Sequence, residues 1–84
     1  MKVLYFAQAG EVAGCREEHW EIRSPLTLDE FWREAVSRHP GLALLRGQCR
    51  VACGMSYLLA GERIEPQKET AVIPPVSGGG MWTF

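Results

Sequence analysis

Cysteine is scarce and odd in number: Cys15, Cys49 and Cys53 are the three in 84 residues. Such a set builds no disulfide framework and points to a reducing cytosol. Charge of one sign is also missing, since nine basic and ten acidic side chains leave a net charge of −1. That balance removes any electrostatic reason to bind nucleic acid or an anionic membrane, so neither is expected as a partner. Long hydrophobic runs are absent, because charges interrupt each one well before bilayer-spanning length. The apolar opening Met1-Lys2-Val3-Leu4-Tyr5-Phe6-Ala7 is too short for a secretory signal and reads better as a strand. No repeat and no interdomain linker is visible. The expectation is a cytoplasmic protein of one domain.

Hydrophobic residues make up 46% of the chain, a globular value. A domain this small buries only about 60% of its unfolded surface, so the core must be economical. In residues 2–7 both alternating sets are apolar, Val3, Tyr5 and Ala7 against Leu4 and Phe6, which places the strand inside a sheet. Gly10 and Gly14 punctuate what reads as a loop. Residues 18–23 alternate, with Trp20 and Ile22 on one face and His19, Glu21 and Arg23 on the other. This is the pattern of a strand with one wet side.

A helix follows. Thr27 and Glu30 have capping-box spacing, with Leu26 and Phe31 placed for a hydrophobic staple. Leu28, Phe31, Trp32, Ala35, Val36 and His39 form one apolar stripe. Asp29 with Arg33 and Glu34 with Arg38 pair at i,i+4 on the wet side, each worth about 0.2–0.5 kcal/mol. Pro40-Gly41 ends the helix. Residues 42–47 read as a short helical turn that tucks in Leu42, Leu44 and Leu45. Residues 50–53 and 57–59 read as short strands about a turn at Gly54, residues 61–68 as a polar, turn-rich segment, and Thr70-Ala71-Val72-Ile73 as the last strand. Two strands, a helix, short strands and a final strand beside the first make an α+β fold. A mixed sheet crossed by one main helix, a ubiquitin-like β-grasp, satisfies this order with a right-handed crossover.

Chemistry concentrates in Pro74-Pro75-Val76-Ser77-Gly78-Gly79. The prolines stop the strand and stiffen the exit. Glycines without side chains can enter a channel too narrow for other residues. Such a tail suits a protein that carries an activated group rather than one that transforms it. The other candidates are plainer. Cys49 and Cys53 have neither zinc-finger nor thioredoxin spacing and read as ordinary thiols, with a covalent part in sulfur transfer the minor alternative. His39 falls at a helix C-terminus, where the dipole favours a cationic ring. No metal ligand set is assigned. Trp20, Phe31 and Trp32 are core aromatics, and any exposed on the sheet would be a docking candidate.

The opening strand, Glu11 and Gly14 in the first loop, and Val72-Ile73-Pro74-Pro75-Val76-Ser77-Gly78-Gly79 together resemble the small, ubiquitin-like sulfur-carrier subunit of molybdopterin synthase, over residues 1–79. The resemblance implies that Gly79 bears an acyl-adenylate and then a thiocarboxylate, that Gly78 gives the narrow approach, and that Pro74, Pro75, Val76 and Ser77 are the arm gripped by partners. It implies two partners, the large synthase subunit and an ATP-dependent adenylating and sulfurating enzyme. ATP is used by that enzyme, and no cofactor is expected on this chain, which is not expected to catalyse alone.

This chain departs from the family pattern in three places. It continues past Gly79 as Gly80-Met81-Trp82-Thr83-Phe84, and an internal peptide bond has no carboxylate to adenylate. The expected organisation is therefore a β-grasp domain over 1–76 and a Gly-rich tail over 77–84. Residues 80–84 would be removed by a metalloprotease cutting after Gly79, with Gly80 the second choice. Gly10 stands where the family often has a basic residue, and Gln67-Lys68 replaces the usual Gly-Asp. Three alternatives stay open: a carrier for cysteine, thiamine or a thio-metabolite, a ubiquitin-like protein modifier, and a binding module that carries nothing.

Overall fold

The computed structural model of the chain describes residues 1–75. Expectations that fall on Val76, Ser77, Gly78, Gly79 and Gly80, and on 81–84, lie outside the described residues.

Five strands, β1 (Lys2–Tyr5), β2 (Glu17–His19), β3 (Arg50–Cys53), β4 (Ser56–Tyr57) and β5 (Thr70–Ile73), form one sheet in the order β2-β1-β5-β3-β4. β1 and β5 run parallel, with Leu4 opposite Ala71, and the other neighbours are antiparallel. A parallel pair needs a long crossover. Everything between β1 and β5 supplies it, including the main helix α2 (Leu28–Arg38). One face of the sheet buries Val3, Tyr5, Val51 and Val72 against Phe31, Trp32 and Ala35 of α2. Trp20 stacks on Phe31 with ring centroids 5.1 Å apart, and Trp32 meets Phe31 edge-on. All three aromatics are core residues and none faces the open side of the sheet. This is the β-grasp arrangement that the element order predicts.

The capping box forms as its spacing requires. Thr27 Oγ1 accepts from the Glu30 backbone N–H, and a Glu30 carboxylate oxygen accepts from the Thr27 N–H. Both i,i+4 ion pairs are present. At the β3–β4 hairpin, Gly54 and Met55 have φ of 61° and 70°. A two-residue loop with both φ positive matches the twist of the strands it joins.

Six details differ from the sequence expectation. Residues 8–13 are helical, not a loop: α1 (Gln8–Ala13) buries Ala9 and ends on Gly14 at φ 78°. Gly14 is thus a helix C-cap, a role open to glycine at little cost. The first strand stops at Tyr5 because Ala7 turns to φ 50°, although the Phe6 N–H still donates to Val72 O. The second strand ends at His19, so the alternation through residue 23 marks an extended segment without a ladder. Leu28 and Leu44 are exposed, at 42% and 83%. Leu28 opens the helix at the rim of the stripe, while Leu44 lies in a 3-10 turn (Pro40–Leu44) that spends its buried positions on Leu42. The fourth strand is Ser56–Tyr57 rather than residues 57–59. The polar segment before β5 hides a fully buried Ile64, which bridges to Leu26.

Candidate functional site

The last strand decides where the tail begins. β5 lies in the middle of the sheet, paired to β1 on one side and β3 on the other, so its end is held from both flanks. Beyond Ile73, Pro74 is buried and Pro75 is exposed. The described chain is therefore anchored at Pro74 and reaches the surface at Pro75. Of the residues expected to form the gripped arm, these two are described, and they sit together at the end of the central strand.

Beside that exit is the helix-free face of the sheet. Side chains alternate along a strand, so burying Val3, Tyr5, Val51 and Val72 sends Leu4, Ala52, Ala71 and Ile73 to the other side. With Phe6, Met55, Tyr57 and Glu69 they line a shallow depression of about 420 Å³. Phe6 and Tyr57 are nearly half exposed, at 46% and 47%, and Met55 almost wholly so, at 96%. The Arg50 guanidinium lies 4.1 Å above the Tyr57 ring centroid, a cation–π contact that fixes both. Lys2 bridges Glu69 at 3.2 Å and Glu17 at 3.9 Å, giving the patch a charged rim. An apolar centre with aromatic members and a polar rim is the anatomy of a protein-docking surface.

The thiols look unlike nucleophiles. Cys49 and Cys15 are half-buried, and burial pushes both thiols up, helped at Cys15 by the nearby Glu18 charge. An activated cysteine needs the opposite shift.

On the helix side of the sheet, Glu18 organises a polar cluster that the sequence did not reveal. Its Oε2 accepts from the Tyr5 hydroxyl, from Trp20 Nε1 at 2.9 Å, and pairs with His39 Nε2 at 3.0 Å. Burial alone would raise this carboxyl, but the hydrogen bonds from Tyr5, Trp20 and His39 outweigh it and hold Glu18 below the usual carboxylate range. Tyr5 is pushed the other way, above a normal phenol, by burial and then by the acceptor it faces. The signal was present: in the alternation through Trp20 and Ile22, Glu18 falls on the apolar face, where a carboxylate needs buried donors.

A profile of the ThiS family matches residues 3–79. The human molybdopterin synthase sulfur carrier subunit is 39% identical over 82 residues, covering 94% of this chain and 93% of that protein. Two crystal structures from Haloferax volcanii superpose well. SAMP1 gives a TM-score of 0.78 at 28% identity, covering 94% of this chain and 98% of that one. A small archaeal modifier protein 1 structure gives 0.75 at 25% identity, covering 90% and 97%. Among the described residues no helix is long and apolar enough to cross a membrane.

Proposed function

This chain belongs to the ThiS family, and on that premise we propose that it is a sulfur carrier for the synthesis of molybdopterin, working from Gly79 after residues 80–84 are removed. The observation that carries the reading is likeness to sulfur carrier subunits over 94% of the chain, in a protein whose central strand ends at Ile73, just before Pro74 and Pro75 and beside an apolar open face. Sulfur transfer needs an acyl carbon with a good leaving group. The Gly79 carboxylate attacks the α-phosphorus of ATP on an adenylating enzyme, releasing pyrophosphate and forming an acyl-adenylate. Hydrosulfide, or its equivalent freed from a persulfide by a thiol reductant, then displaces AMP and leaves the thiocarboxylate. This chain presents the carbon, and its partners supply the acids, bases and nucleotide site.

The outer face, with Phe6, Tyr57 and Ile73 at its centre, docks the large synthase subunit while the tail enters that subunit's active site. Gly78 and Gly79 pass where a Cβ would not. Maturation is by a protease, since only a cut after Gly79 exposes the carboxylate. A second reading, attachment to lysines of other proteins, is favoured by the likeness to the archaeal modifier, and it requires the same trimmed glycine.

The test is reconstitution with a large synthase subunit and its pyranopterin precursor. Residues 1–79 prepared as the C-terminal thiocarboxylate should yield molybdopterin, and the chain ending at Phe84 should yield none. A 1–79 thiocarboxylate that is folded yet neither binds the large subunit nor gives product would overturn the assignment.

A further inference from the structure

We propose that Cys15, Glu18 and His39 form a divalent metal site of the zinc class, through Cys15 Sγ, a Glu18 carboxylate oxygen and a His39 ring nitrogen, with the fourth position open. The three come from separate parts of the chain: the turn after α1, strand β2, and the C-cap of α2. No spacing motif could announce them. Their ligating atoms all lie within 4.8 Å of one another, and His39 Nε2 is 3.0 Å from the Glu18 carboxylate. Around tetrahedral zinc, bonds of about 2.0–2.3 Å set donors about 3.3–3.5 Å apart. Side-chain adjustments of about 1 Å close the set, the metal standing between His39 Nε2 and the Glu18 carboxylate while the neutral ring carries its proton on Nδ1.

Chemistry and charge agree with this geometry. One thiolate, one carboxylate and one neutral imidazole are a mixed S, O, N set, which suits zinc better than magnesium or calcium. Two anionic ligands and a dication sum to zero, so the half-buried site carries no net charge; the thiol proton leaves on binding. The outer shell is already in place. Tyr5 and Trp20 hold the Glu18 carboxylate in place through Oε2, and the Tyr5 ring packs edge-on against His39 with centroids 5.6 Å apart. Such supports orient ligands and raise affinity. The Glu18 and His39 side chains keep 21% and 18% of their exposure, so an ion can enter. The site lies on the helix side of the sheet, away from the outer face, and is independent of the sulfur-carrier reading.

Titration of the reduced, metal-free full chain with Co²⁺ tests it. The expected result is one equivalent bound, with a thiolate-to-cobalt band in the near ultraviolet and the strong visible bands of tetrahedral cobalt, all lost on adding zinc. Cys15→Ser should abolish the near-ultraviolet band. His39→Gln should weaken binding by more than the roughly 10–100-fold that loss of an outer-shell partner costs. Cys49→Ala should leave both unchanged. If Cys15→Ser fails to fold, the wild-type and His39→Gln titrations decide. A wild-type chain with only the faint spectrum of hydrated cobalt, or a charge-transfer band that survives Cys15→Ser, would overturn the site.

Discussion

Replacing Glu18 with alanine removes the acceptor shared by two donors that have no route to water. Tyr5 is 2% exposed and Trp20 fully buried. A buried donor left unpaired costs about 1–3 kcal/mol. Two of them make about 2–6 kcal/mol, before any share from the partly exposed His39. A chain of this length has about 4–13 kcal/mol of stability in all, so the substitution consumes much of it. The assay is urea unfolding with a chelator present, so that bound metal does not contribute. With a slope of about 1–2 kcal/mol/M for a small domain, the midpoint should fall by at least about 1 M. Tyr5→Phe removes one of the stranded donors. The double variant should therefore be more stable than the two single losses predict, by about 1–3 kcal/mol of coupling. A Glu18→Ala loss below about 1 kcal/mol, or strictly additive variants, would refute the network as a structural element.

Three further outcomes follow from the same geometry. Because Glu18 is held below its unfolded value, the unfolded chain binds the extra proton first as pH falls. The stabilisation is whole above about pH 4.3, the ordinary glutamate value, and is lost as pH drops through the folded value. Glu18→Gln should show a flatter acid limb in unfolding midpoint against pH. Thr70 is fully buried, and among the described residues its Oγ1 finds no hydrogen-bond partner. Thr70→Val, which keeps the shape, should be neutral or raise stability by about 1 kcal/mol in the same unfolding assay. Phe6→Asp puts a charge in the outer-face depression; binding to the large synthase subunit, measured by calorimetry, should weaken at least about 10-fold while the circular dichroism spectrum is kept.

Local chemistry made much of the fold legible. Thr27 and Glu30 announced the start of α2, and Thr70-Ala71-Val72-Ile73 before two prolines announced the central strand, because each depends on a few neighbouring residues. Elsewhere tertiary contacts overrode the local pattern. α1 was hidden because Gly10 and Gly14 look like loop punctuation, whereas Gly14 is a helix cap and Ala9 is the helix's one fully buried residue, with Ala13 packed beside the core. Leu44 was assigned inward by its hydrophobicity, but the 3-10 turn has room for Leu42 only. The carrier tail could be read as a motif because its residues are contiguous. The Cys15, Glu18 and His39 cluster could not, because three elements must fold before its members meet.

Sulfur carriage on Gly79 can be read from the intact mass of the protein isolated from its own source organism. The expected species ends at Gly79, with sulfur replacing one terminal oxygen. A cell making molybdopterin in which every copy retains residues beyond Gly79 would contradict it.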